Sequence, residues 1–125
     1  MNFPAELKYT KDHEWIKIDG NVGTVGITDF AQHELGDIIY VDLKKVGTVV
    51  KEHEIFGTVE AVKTVSDLFS PVSGTIRELN ENLTTDAGVV NTDPYGKGWM
   101  VKIELSNPAE TANLLSAEGY QKVIG

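Results

Sequence analysis

The chain has 125 residues, 41% of them hydrophobic and 24% charged, which suits one domain over residues 1–125 around one core and excludes collagen-like or disordered composition. Eleven basic against nineteen acidic residues give a formal net charge of −8, so neither nucleic acid nor an anionic membrane is expected as a partner, and a charge-steered partner should be basic. The absence of cysteine excludes disulfides, thiolate nucleophiles, zinc ribbons and iron–sulfur clusters.

The N-terminal Met1-Asn2-Phe3-Pro4-Ala5-Glu6 lacks the basic, apolar, small-residue progression of a secretory signal, so a cytoplasmic location is the default expectation. No apolar run approaches the ~20 residues needed to cross a bilayer. His13 to Asp19 reads as a strand with Trp15 out of phase with Ile16 and Ile18; Gly20-Asn21 signals a two-residue turn, and Val22 to Ile27 returns as the second strand of a hairpin. Thr28 is placed to cap a short helix carrying Phe30, Ala31 and Leu35, which Gly36 ends. Strand-length runs follow at Ile38–Leu43, Val46–Val50, Glu54–Val62, Thr64–Phe69, Ser73–Leu79 and Trp99–Leu105. After Pro108 a helix-permissive stretch holds Ala109, Ala112, Leu114 and Leu115, and a weaker helical segment spans Ala117 to Val123. Short strands with glycine and proline punctuation predict a mostly β fold of closed or sandwiched sheets, with short helices and a helical tail.

The segment from Ile55 to Ile76 carries the most chemical information. If Glu54–Val62 and Thr64–Phe69 pair, Lys63 stands at the hairpin tip and projects its amine into solvent, open to a modifying enzyme. Any one of the ten lysines, taken alone, is better read as a solvated charge, so the context has to single out Lys63.

The run Glu60-Ala61-Val62-Lys63, followed by Ser70-Pro71-Val72-Ser73-Gly74-Thr75-Ile76, resembles the biotinyl and lipoyl attachment hairpin. Three further blocks extend the likeness: Tyr9-Thr10-Lys11-Asp12-His13-Glu14-Trp15; Gly26-Ile27-Thr28-Asp29-Phe30-Ala31-Gln32 with Leu35-Gly36-Asp37-Ile38; and Val90-Asn91-Thr92-Asp93-Pro94-Tyr95-Gly96-Lys97-Gly98-Trp99. Together they resemble the glycine cleavage H-protein family over roughly residues 5 to 123. Biotin carriers place methionines beside the lysine, and 2-oxoacid dehydrogenase lipoyl domains carry Asp-Lys-Ala; neither pattern is present. Two positions depart from the family: Ala61 stands where serine is common, and Lys44 where a proline often follows Tyr40-Val41-Asp42-Leu43.

The resemblance implies a barrel-sandwich hybrid like that of lipoyl domains, and a monomeric, non-catalytic carrier. Lipoate would be joined covalently to Lys63, with Glu60, Ala61 and Val62 as recognition context for the lipoate ligase or lipoyl/octanoyl transferase. The carrier would take an aminomethyl group from the pyridoxal-phosphate glycine dehydrogenase, pass it to the aminomethyltransferase, and be reoxidised by dihydrolipoyl dehydrogenase. An ammonium-bearing cargo prone to losing ammonia gains from carboxylates in a sheltered groove, and Glu14 and Asp67 are the candidates. The alternative within the carrier class is an H-like relay supplying lipoyl groups to other proteins.

Other readings are weaker. His13, His33 and His53 lack metal-ligand spacing, so no metal site is expected. Asp93-Pro94-Tyr95-Gly96 reads as a turn, and Trp15 and Trp99 as core residues. No GxSxG elbow or dinucleotide-binding glycine pattern supports a hydrolase or an oxidoreductase. A bare β-rich binding module with Lys63 unmodified is the reading from a different class.

Overall fold

The computed structural model describes residues 1–125. Its strands are β1 (Lys8–Tyr9), β2 (Glu14–Asp19), β3 (Val22–Ile27), β4 (Ile38–Leu43), β5 (Val49–Val50), β6 (Ile55–Ala61), β7 (Val65–Phe69), β8 (Gly74–Leu79) and β9 (Val101–Leu105). Helices α1 (Asp29–Leu35), α2 (Val89–Thr92) and α3 (Ala117–Ile124), with 3₁₀ turns at Glu81–Thr84 and Pro108–Asn113, complete the chain. The strands form a six-stranded sheet in the order β1-β2-β3-β9-β8-β5 and a three-stranded sheet in the order β4-β6-β7. All pairings are antiparallel, and neither sheet closes on itself.

Local chemistry accounts for the elements nearest the site. Gly20 takes φ +63 at the first position of the β2–β3 turn, a value that an L side chain resists. Thr28 caps α1 by accepting the Ala31 N–H at 3.1 Å, and the Gly36 N–H donates to the Gln32 carbonyl with Gly36 at φ +80. The expected strand at Val46–Val50 shrinks to Val49–Val50 because Gly47, at φ +94, turns the chain and donates its N–H to the Ile76 carbonyl. The segment after Pro108 is a 3₁₀ turn, and the α-helix of the tail is Ala117–Ile124. Ser116 caps that helix by accepting the Gly119 N–H.

A cluster of 18 buried residues joins the sheets, including Ile16 and Val25 from one and Val41, Phe56, Val59 and Leu68 from the other. A smaller cluster of Leu7, Tyr9, Trp15 and Tyr120 covers the opposite face of β2 under α3. Strand β2 is therefore packed on both faces, which is why Trp15 and Ile16 are both buried despite pointing in opposite directions. The Trp15 indole lies on Gly26, its cross-strand partner, where a Cβ would fall 2.8 Å from the ring, and its Nε1–H donates to the Pro94 carbonyl. Trp99, expected in the core, is only half-buried; it packs at the margin of the smaller cluster with the Lys102 ammonium 5.2 Å from its ring centroid.

Phe56 is fully buried between the sheets. Phe56→Ala is expected to lower unfolding stability by about 3–5 kcal/mol, read from the urea midpoint at unchanged slope. A loss below about 1 kcal/mol would show that the sheets close over the vacated space.

Candidate functional site

Lys63 is exposed in the three-residue connection between β6 and β7. The Ala61 N–H donates to the Thr64 carbonyl at 2.7 Å and closes the turn; the Val62 N–H donates to the Asp37 carbonyl at 3.0 Å and ties the tip to the segment after α1. The lysine side chain runs past the end of α1, where a Cβ on Gly36 would lie 3.5 Å from Lys63 Cε and 3.8 Å from Nζ. Of the neighbours singled out in the sequence, Ala61 is buried, whereas Glu60 and Val62 are exposed beside the lysine. Ala61 leaves no hydroxyl at the turn, and the backbone bonds that shape the tip do not need one.

A cleft of about 400 Å³ opens between α1 and β7. Its walls come from the Asp12–Glu14 turn, Ile27, the α1 residues Phe30, Ala31, Glu34 and Leu35, Val59 of β6, and Ser66 to Leu68 of β7. Leu35 adjoins Gly36 and β7 leaves the Lys63 turn, so the cleft begins beside the exposed amine. Half of the lining residues are hydrophobic. Asp12, Glu14, Glu34 and Asp67 supply four carboxyl groups, and no lysine or arginine lines the walls. Such a groove accepts an alkyl chain along its apolar wall and a cation at its acidic one.

The two sequence candidates for the acidic wall meet here in different settings. Asp67 is exposed on the lip, paired across the strands with Thr58. Glu14 is 2% exposed. Its Oε1 accepts from the Thr10 hydroxyl at 2.7 Å and its Oε2 from the Phe69 N–H at 3.2 Å. Burial pushes the Glu14 carboxyl up to about 8; the two donors favour the charged form but are outweighed. Burial of this kind favours the neutral carboxyl, and a cation brought against it would favour its ionisation.

Several cleft residues had no functional reading in the sequence. Phe30, Glu34 and Val59 come from separate elements, and no short-range pattern marks them as neighbours. The spacing of His13 gives it no metal-binding role, and nothing in the sequence places it at the cleft. It lines the cleft and packs its ring 5.0 Å from that of Phe30, while His33 and His53 stand exposed on other segments. The Asp93–Gly96 segment is a turn closed by the Gly96 and Gly98 N–H groups donating to the Asp93 carbonyl. It also contributes the Tyr95 hydroxyl, which accepts from the Asp29 N–H at the start of α1.

Residues 7–125 match the family model described as glycine cleavage H-protein. The chain belongs to the glycine cleavage H-protein family. Among curated members of the H-protein family, the glycine cleavage system H protein of Chlorobium luteolum is 64% identical over 127 residues, spanning 100% of this chain and 99% of that protein. The corresponding protein of Symbiobacterium thermophilum is 56% identical over 119 residues, covering 95% and 93%. The crystal structure of a glycine cleavage system H protein from Mycobacterium marinum superposes with a TM-score of 0.87 at 42% identity, covering 95% of this chain and 96% of that one. The H-protein fold is thus the architecture described above, two open sheets with short helices and a C-terminal helix. No helix is long and apolar enough to cross a membrane.

Proposed function

We propose that Lys63 carries lipoate in amide linkage and that the chain serves as the non-catalytic carrier of the aminomethyl intermediate of glycine decarboxylation. The observation that carries this reading is the exposed lysine at a two-strand tip, with its amine beside the mouth of a half-apolar cleft lined by four carboxyl groups and no lysine or arginine. An alkyl arm rooted at Lys63 fits the apolar wall, and an ammonium cargo fits the acidic one. Lipoate held on Lys63 would supply a disulfide able to take up the aminomethyl unit and a dithiol to be reoxidised.

The chain's own residues do the holding. The Thr64 and Asp37 carbonyls fix the turn so that the amine stays exposed on a rigid base. Tethering raises the effective concentration of the arm at each partner in turn, namely the pyridoxal-phosphate glycine dehydrogenase, the aminomethyltransferase and dihydrolipoyl dehydrogenase. Glu14 and Asp67 receive the cargo's ammonium, and the walls around Glu14 limit access of the water that would release ammonia. Glu60 and Val62, exposed beside the amine, are the first residues a lipoate ligase or lipoyl/octanoyl transferase meets.

Peptide mapping of the protein from lipoate-supplied cells tests the proposal. One lipoyl adduct confined to the peptide containing Lys63 is expected. A biotin adduct there, or no adduct beside an active ligase, would overturn it.

A further inference from the structure

One hydroxyl ties the two walls of the cleft together from behind. Tyr120 of α3 is fully buried, its ring stacked on Tyr9 at 5.1 Å. Its Oη lies 2.8 Å from His13 Nδ1 and 2.8 Å from Thr28 Oγ1. Thr28, also fully buried, accepts the Ala31 N–H. His13 sits at φ +73, a conformation that costs an L residue energy and that surrounding contacts must maintain. Its carbonyl accepts the Thr28 N–H at 3.0 Å.

Proton accounting along this chain has one solution that satisfies every group. The only acceptor in reach of the Thr28 hydroxyl is Tyr120 Oη, because its other partner, the Ala31 N–H, is a donor. Thr28 therefore donates to Tyr120. The single Tyr120 proton is then directed to His13 Nδ1, which must be bare to accept it. Every buried side-chain nitrogen and oxygen has a partner. His13 Nε2 makes no hydrogen bond within the protein, so it reaches solvent from a residue that lines the cleft. Protonating Nδ1 would reverse the Tyr120 hydroxyl and leave the buried Thr28 hydroxyl without an acceptor, which is unfavourable.

We infer that Tyr120, backed by Thr28, holds His13 as a neutral imidazole protonated on Nε2, making His13 a cleft residue that leaves the carboxyl groups to an alkylammonium cargo. Tyr120 is its positioning residue. The charge logic follows from the walls. His13 faces Asp12 and Glu14 from its own turn and strand, Glu34 from α1 and Asp67 from β7. An imidazolium there would compete with the ammonium for these carboxyl groups and repel it. Burial lowers the proton affinity of His13, against the opposing pull of Asp12 and Glu34, in keeping with the hydrogen-bond order. This role rests on the proposed docking of the loaded arm, but the imidazole state does not.

The test reads nitrogen-15 and carbon-13 signals of the His13 ring in the unlipoylated protein. The expected result is a protonated Nε2 and bare Nδ1 at neutral pH, with a titration midpoint below the usual histidine value. Tyr120→Phe should raise that midpoint by about one pH unit, and Thr28→Ser, which keeps the hydroxyl, should leave it in place. In the loaded carrier, Tyr120→Phe should add an acceleration of ammonia release below the new midpoint. A proton on Nδ1 in the unaltered protein would overturn the inference without any variant having to fold, and so would an unmoved midpoint in a folded Tyr120→Phe protein. The ring signals are independent of lipoylation, so failure here is separable from failure of the carrier reading, which peptide mapping at Lys63 decides.

Discussion

Lys63→Arg is expected to abolish lipoyl incorporation while leaving the fold intact. Amide formation needs a nitrogen that can lose a proton and attack an activated acyl group. An alkylammonium gives up its proton far more readily than a guanidinium, whose charge is delocalised and retained under all ordinary conditions. Arginine preserves charge and approximate reach, so loss of the adduct would report chemistry rather than a changed surface. Lys63 is exposed, and the bonds that shape its turn are made by backbone atoms of Ala61, Val62, Thr64 and Asp37. Stability should therefore stay within about 0.5 kcal/mol of the parent protein. Intact mass of the two proteins from the same lipoate-supplied cells gives the answer. A lipoyl adduct on the variant would place the attachment on one of the other nine lysines, and the hairpin reading would fail.

Glu14 should govern both the lifetime of the loaded carrier and the pH dependence of folding. In the unlipoylated protein its carboxyl is raised from 4.5 to about 8 by burial. The folded state then holds the proton more tightly than the unfolded chain between those values. This contribution to stability is complete below about pH 4.5, declines as pH rises to about 8, and is level above. The full span corresponds to at most about 5 kcal/mol. Glu14→Gln should remove this slope, so unfolding midpoints of parent and variant should converge or cross between about pH 5 and about pH 9. A constant difference across that range would mean that Glu14 is ionised in the fold throughout. In the lipoylated, aminomethyl-loaded carrier, Glu14→Gln with Asp67→Asn removes the two carboxyl groups proposed to receive the ammonium and should speed ammonia release roughly 10- to 100-fold, the loss of a charge-assisted hydrogen bond. An unchanged release rate would remove both residues from cargo docking.

The sequence was most legible where a residue acts on its own neighbours. Thr28 and Gly36 bracket α1 because capping and a positive φ are local requirements, and the Gly20 turn sets the β2–β3 hairpin in the same way. The Lys63 tip is equally local, since two strand-forming runs flank a short connection. Boundaries failed where a distant partner chose the outcome. Val46–Val50 lost most of its expected strand to the Gly47 turn, whose N–H is taken by Ile76. The helical turns at Glu81–Thr84 and Val89–Thr92 leave no mark in the sequence pattern, because each is a four-residue element too short for a periodic signal.

The site divides along the same line. The amino-acid order alone determined the exposed lysine, the hairpin that presents it and the two carboxylates worth testing, because family blocks and turn chemistry are written in contiguous residues. Only the tertiary structure decided that Glu14 is buried and proton-binding while Asp67 stays on the lip, since burial depends on what other segments pack above a strand. It likewise set α1 and β7 on either side of a groove without lysine or arginine. It also brought Tyr120 to His13 and Thr28 across sequence separations of 107 and 92 residues. Proton affinity and hydrogen-bond direction are set by distances of a few ångströms between groups far apart along the chain, and no local pattern encodes those distances.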